Sequence, residues 1–330
     1  MLEHGGNLRA AVERFARPLD QWIDLSAGIN PHCYPVPQLG LQAWHRLPET
    51  DPLMLQAACR YYGAPQMLAV AGTQAAIQAL PTLRAPARVV VASPSYAEHA
   101  HCWSRHGHTL REVTYAHLDE AVQSCDVLVL CNPNNPTGAT VPVTQLLEWA
   151  AALASRGGWL VVDEAFGDTA PELSVAAHSG RHGLIVLRSV GKFFGLAGAR
   201  VGFVGAHEAL LSQLADKLGP WTVCGPAQLA ARAALEDTGW QVQARERLAQ
   251  DGDRLRGLLA RHAINPAGTP LFQWWPQAQP EAFWLHMAER GLWVRLFTHA
   301  ASGIRLGLPP DETAWNRLAS ALNDWTRSTR

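Results

Sequence analysis

Lysine is nearly absent from this chain. Of its 27 basic residues, 25 are arginine, and the only lysines are Lys192 and Lys217. Guanidinium supplies charge almost everywhere, so a surviving lysine is a candidate for chemistry that needs a primary amine; guanidinium forms no imine and keeps its proton. Lys217 lies in the amphipathic stretch 210–218 and reads as an ordinary surface cation. Lys192 has more telling neighbours. Long apolar runs are missing as well: none reaches the roughly 18 residues that a membrane-spanning helix requires, so no membrane association is expected. A net charge of −1 excludes broad attraction to nucleic acid. No C-x-x-C pair occurs among Cys33, Cys59, Cys102, Cys125, Cys131 and Cys224, which fits reduced thiols in the cytoplasm better than a disulfide framework. The opening Met1-Leu2-Glu3-His4-Gly5-Gly6 has neither a basic start nor an apolar run, so no signal peptide is expected.

What is present points to a globular protein. The chain has 330 residues, 48% of them apolar, enough for two full-sized domains and far from a disordered composition. No internal repeat or low-complexity segment appears. From about Leu53 to Val204, apolar runs that read as buried strands (67–70, 88–92, 127–131, 159–162, 183–187 and 200–204) alternate with stretches of helical length and pattern (73–80, 97–106 and 144–155). Such alternation predicts a mainly parallel sheet covered by helices, with ligands beyond the carboxyl ends of its strands. After about Pro226, long helical patterns (227–235, 242–262, 281–289 and 311–326) flank short β-like pieces (271–275, 293–296 and 303–306). The expected division is an N-terminal arm over 1–25, a large α/β domain over 26–225 and a smaller α+β domain over 226–330, with the arm packing on the small domain or on a partner subunit.

Four segments fall at the ends of the expected strands. Gly72-Thr73-Gln74 opens a helix whose unpaired N–H groups attract a phosphate; alone, it is equally a turn and an N-cap. Asn132-Pro133-Asn134-Asn135-Pro136-Thr137-Gly138 spells a rigid loop, in which an Asn amide can bond a phenolic oxygen. Asp163, in Val161-Val162-Asp163-Glu164-Ala165-Phe166, ends a buried strand, where a carboxylate is costly unless it meets a cation such as a protonated pyridine nitrogen. In Ser189-Val190-Gly191-Lys192-Phe193-Phe194-Gly195-Leu196-Ala197-Gly198-Ala199-Arg200, Ser189 and Arg200 can bind a phosphate while Lys192 offers its amine.

This ordered set resembles the fold-type-I pyridoxal-phosphate enzymes, the aspartate aminotransferase superfamily, through nearly the whole chain. The resemblance implies a large domain built on a mainly parallel seven-stranded sheet, a smaller α+β C-terminal domain, and a homodimer with active sites at the subunit boundary. It implies that Lys192 carries pyridoxal 5′-phosphate as a Schiff base and then shuttles protons. Asp163 would pair with the pyridine nitrogen, making the ring an electron sink. Asn135 would bond the phenolic oxygen, Tyr96 would stack on the ring, and Gly72, Thr73, Gln74, Ser189 and Arg200 would hold the phosphate. Two departures stand out. Phe166 occupies the place of a tyrosine that usually bonds the phenolic oxygen, and Leu47 that of a partner-subunit tyrosine that usually reaches the phosphate.

Within the superfamily, His4-Gly5-Gly6-Asn7, Ser26-Ala27-Gly28-Ile29-Asn30-Pro31 and Pro220-Trp221-Thr222-Val223 resemble the threonine-phosphate decarboxylases of cobalamin biosynthesis. These convert O-phospho-L-threonine to (R)-1-aminopropan-2-yl phosphate and CO2. The likeness assigns Arg305 to the substrate's carboxylate and Arg295, with His4, to its phosphate. Gly5, Gly28 and Asn135 complete the substrate set, although Gly28 stands where the family usually has Asn and could serve only through its backbone. The alternatives are a histidinol-phosphate-type aminotransferase, against which Phe166 and Leu47 argue, and a pyridoxal-phosphate-binding accessory protein for aminopropanol attachment. His99, His101, Cys102, His106 and His108 crowd into ten residues, but their spacing matches no standard zinc pattern, so no metal site is expected.

Overall fold

The computed structural model describes residues 4–298 and 300–328. Two compact units emerge. One comprises residues 33–135 and 139–242, the other residues 1–32, 136–138 and 243–330.

The chain's first strand, β1 (Ile23–Asp24), belongs to the second unit, whereas the first is built around a seven-stranded sheet. Its strands are β2 (Leu68–Val70), β3 (Arg88–Ala92), β4 (Thr109–Val113), β5 (Val127–Cys131), β6 (Trp159–Asp163), β7 (Leu184–Ser189) and β8 (Gly202–Gly205), in the order β2-β8-β7-β6-β5-β3-β4. Every pairing is parallel except those of β8, which runs antiparallel to both neighbours. The central strands Val-Leu-Val-Leu-Cys of β5 and Leu-Ile-Val-Leu-Arg-Ser of β7 are buried at every position, as strands covered on both faces must be. These runs match the expected strands to within two residues at each end, and the expected helices recur at Thr73–Ala79, Ala97–Ser104 and Val143–Ala154. The sequence reading lacked β4. Its residues Thr-Leu-Arg-Glu-Val are mostly exposed, because an edge strand tolerates and favours charge.

In the second unit β1 pairs in parallel with β11 (Leu292–Trp293). A separate antiparallel sheet takes the order β12-β13-β10-β9, from β9 (Ala267–Thr269), β10 (Phe272–Trp275), β12 (Arg295–Phe297) and β13 (Gly303–Gly307). The single β piece expected over 293–296 is thus two strands in two different sheets, β11 and β12, separated by Val294. The N-terminal helix Leu8–Phe15 is stapled to C-terminal elements by aromatic contacts. Phe15 meets Trp22, Trp284 and Trp293 at ring separations of 5.7, 5.8 and 6.4 Å. Among the described residues no helix is long and apolar enough to cross a membrane.

The carboxyl ends of β6 and β7 are locked by buried charge. Arg188 donates to Glu164 at 2.6 Å and to Asp168 at 3.1 Å, and its guanidinium lies 4.4 Å from the centre of the Tyr62 ring. All three charged residues are at most 2% exposed. A buried pair that loses one partner leaves an uncompensated charge. Arg188→Met is therefore expected to lower the unfolding free energy by about 3–5 kcal/mol, read as a reduced denaturant midpoint at unchanged slope.

Candidate active site

Cys131, Asp163 and Ser189 are the last residues of β5, β6 and β7, the place where open α/β sheets bind ligands. They line a cavity of about 140 Å³ together with Thr73, Gln74, Tyr96, Asn135, Phe166, Lys192 and Arg200. The structure thus gathers eight of the nine expected cofactor residues around one cavity; the ninth, Gly72, acts from beside it.

Each is held there by local chemistry. Asn132 closes the loop after β5, accepting from the Val141 N–H at 2.8 Å and donating to its carbonyl at 3.2 Å, while Asn134 donates to the Pro94 carbonyl at 2.9 Å. Those two asparagines brace the loop, and Asn135 lines the cavity. The Ser189 hydroxyl accepts from the Gly191 N–H at 3.1 Å, shaping the turn that presents Lys192. The Lys192 Nζ sits 5.4 Å from the centre of the Phe166 ring, so the departure from tyrosine puts an aromatic face, without a hydroxyl, beside the amine. The Tyr96 hydroxyl donates to Gln74 Oε1 at 3.1 Å, and Gln74 Nε2 donates to Glu98 at 2.9 Å. Gln74 is therefore a strut for the Tyr96 ring. Gly72 has φ +70°, and a Cβ there would lie 2.5 Å from Arg200 Nη2; only glycine lets the guanidinium come so close.

Asp163 is 4% exposed. Its Oδ1 accepts from the Ala165 N–H at 3.0 Å and its Oδ2 lies 3.0 Å from His99 Nε2. Burial alone disfavours a charged imidazole, but the hydrogen bond to Asp163 and the nearby Cys131 outweigh it and raise His99 from 6.5 to about 10. The histidine-rich segment is thus not one cluster. His106 bonds the Cys102 carbonyl at 2.8 Å and His108 the Pro81 carbonyl at 2.9 Å, while His99 alone reaches the cavity wall. Sequence reasoning missed His99 and Cys131 as site residues. The available signal was that His99 lies one helical turn after Tyr96, on the same face.

The second unit carries the other expected residues. Arg295 and Arg305 are direct cross-strand partners on β12 and β13. Arg305 is 5% exposed, packs 5.2 Å from the centre of the Phe272 ring, and donates to the Ser26 carbonyl at 2.5 Å. Burial, then the charge of Arg295, pushes Arg305 below the ordinary guanidinium range, with Asp24 opposing. Like charges in register are destabilising, and an anion placed between them would offset that repulsion. Ser26 also draws in the N-terminal turn: its hydroxyl donates to Asp24 at 2.6 Å and accepts from the Gly6 N–H at 2.7 Å. A Cβ on Gly5 would lie 2.5 Å from the Ser26 carbonyl oxygen. Gly28 has φ +60° and packs beside Gly307 of β13; His4 is exposed.

The donor set around the cavity fits pyridoxal 5′-phosphate: an amine, a buried carboxylate, an amide, an aromatic face, and hydroxyl and guanidinium groups suited to a phosphate. The chain belongs to the class I and II aminotransferase family, whose model matches residues 21–322. It is similar to the threonine-phosphate decarboxylase of Pseudomonas aeruginosa, 53% identical over 98% of this chain and 97% of that one. It is also similar to the threonine-phosphate decarboxylase of a Sinorhizobium species, 40% identical over 97% of each. The solved histidinol-phosphate aminotransferase of Sinorhizobium meliloti, in complex with pyridoxal-5′-phosphate, shares the fold at a TM-score of 0.84 and 23% identity, over 100% of this chain and 96% of that one. The fold is that of the fold-type-I pyridoxal-phosphate enzymes, as the sequence motifs lead one to expect.

The raised His99 has a consequence for stability. A base whose folded value exceeds its unfolded one stabilises fully below the unfolded value and loses that contribution as pH rises through the folded value. The difference in unfolding free energy between the wild type and His99→Gln should be largest and flat below pH 6.5, then shrink until pH passes about 10. Denaturant titrations across that range check it.

Proposed function

We propose that this chain decarboxylates O-phospho-L-threonine to (R)-1-aminopropan-2-yl phosphate and CO2 with pyridoxal 5′-phosphate as cofactor, the reaction used in cobalamin biosynthesis. The 53% identity to a threonine-phosphate decarboxylase over 98% of the chain carries the proposal. The facing Arg295 and Arg305 suit it, because this substrate has two anions. When bound, the cofactor supplies a protonated pyridine ring that accepts the electron pair released as the carboxylate departs.

The protein's residues do the rest. Lys192 Nζ would anchor the cofactor and carry a proton to the substrate's Cα once CO2 has left. Asp163 would keep the proton on the ring nitrogen, Asn135 would bond the phenolic oxygen and Tyr96 would cover the ring. Ser189, Thr73 and Arg200 hold the cofactor phosphate, with Gly72 leaving space for the Arg200 guanidinium. Arg305 takes the substrate carboxylate and Arg295, with His4, its phosphate; Gly5 and Gly28 shape that region through their backbones. Phe166 removes a hydroxyl that would otherwise compete for the phenolic oxygen. The chain acts in the cytoplasm, in keeping with its six free thiols, and as a homodimer. Support for a self-association surface comes from the large apolar side chains Leu41, Trp44, Leu47 and Trp221, which are 85, 68, 66 and 56% exposed; exposed apolar surface of this kind suits an interface.

Labelled phosphothreonine should release CO2 without any 2-oxo acid. Truncating either Arg295 or Arg305 to Ala should weaken substrate binding about tenfold to a hundredfold. Arg305→Ala should also lower turnover, while Arg295→Ala should shrink the preference for phosphothreonine over threonine. Amino transfer to a 2-oxo acid with no CO2 would instead favour the aminotransferase reading. Borohydride reduction of the cofactor-loaded protein should fix the label on Lys192, and Lys192→Arg should retain none. Light scattering should give a dimer that Trp44→Asp shifts toward monomer.

A further inference from the structure

In the antiparallel sheet of the second unit, one face of β13 reads Gly303, Arg305, Gly307, because alternate residues of a strand share a face. Each has a direct partner on a neighbouring strand. Gly303 faces Phe297 and Arg305 faces Arg295, both on β12, while Gly307 faces Phe272 on β10. A glycine has no side chain, so it leaves the strand surface open to the aromatic ring opposite. Arg305 is thereby flanked along its strand: its guanidinium lies 5.2 Å from the centre of the Phe272 ring and 6.0 Å from that of Phe297. The Arg295 guanidinium lies 5.2 Å from the same Phe297 ring. We propose that Phe297 is a positioning residue for substrate selectivity: its one ring holds both guanidinium groups, fixes the spacing of the two anion sites, and so favours a ligand with two anions over a ligand with one.

The chemistry favours this. Two arginines in register repel each other. Arg295 and Phe297 are only half-buried, and a long cationic side chain at such a site gains hydration by swinging away from its neighbour. An aromatic face attracts a cation, and guanidinium, planar and weakly hydrated, stacks on a ring more readily than ammonium does. A ring that meets both cations therefore opposes their separation. Leucine in its place would be apolar but would offer neither cation a π face.

The inference rests on the reading that Arg295 and Arg305 take the substrate's two anions. Calorimetric titration of the cofactor-loaded protein after borohydride reduction, which blocks turnover, tests both. The ligands are O-phospho-L-threonine, with its carboxylate and phosphate, L-threonine, which lacks the phosphate, and 1-aminopropan-2-yl phosphate, which lacks the carboxylate. Phe297→Leu should weaken phosphothreonine binding about fivefold to thirtyfold, the worth of two cation–ring contacts, and binding of the other two ligands only about twofold to fivefold, the worth of one. Phe297→Tyr, which keeps the ring, should bind all three as the wild type does. An unchanged Phe297→Leu, an equal loss for all three ligands, or a Phe297→Tyr as weak as Phe297→Leu overturns the inference. Arg295→Ala and Arg305→Ala separate the two failures. If both bind phosphothreonine as tightly as the wild type, the assignment of the anions falls and this inference with it. If both bind it weakly while Phe297→Leu does not, only the shared ring is overturned.

Discussion

A carboxylate at the buried end of a strand governs this fold's chemistry. Asp163 would be prohibitively costly as an isolated ion, because transfer of an unpaired charge out of water outweighs most single contacts in a protein. Three features offset that cost. The Ala165 N–H and the His99 ring satisfy one oxygen each, and the cavity leaves the carboxylate able to meet a further cation. Cys131 stands beside Asp163 because the parallel pairing of β5 and β6 sets the two in register. Remove the sheet's register and no member of the chain stands in the right place.

The same economy appears twice more. At the ends of β6 and β7, Glu164 and Arg188 neighbour Asp163 and Ser189 in sequence but point into the protein, where they satisfy each other. Alternation along a strand sends one residue to the cavity and the next into the core beneath it. In the second unit, Arg295 and Arg305 stand opposed in register, with Phe272 and Phe297 against Arg305.

Much of this was legible in the sequence. Strands buried on both faces betray themselves as unbroken apolar runs, which is why β3 and β5 were read to the residue. Lys192, Asp163, Asn135 and Arg200 sit in short motifs whose order carries the information. Other features depend on register or environment and leave no local trace. The edge strand β4 hides behind Arg111 and Glu112. The partition of 292–297 between two sheets follows from pairing with β1, a segment some 270 residues away, and no periodicity encodes that. His99 looked like one of several histidines, because only the fold decides which of them meets a carboxylate.

The pairing of β1 with β11 also orders events in time. The unit that holds Arg295 and Arg305 is made from residues 1–32 and 243–330, with three more from the middle of the chain. Contacts across such separations form slowly, and during synthesis they must wait for the last strand to emerge. The unit around the seven-stranded sheet is nearly continuous in sequence and can close first. Until then Trp22 and Phe15 lack Trp284 and Trp293. A nascent chain can thus assemble the residues around Lys192 before the paired arginines exist, so maturation passes through a stage with the cavity formed and the anion pair still absent.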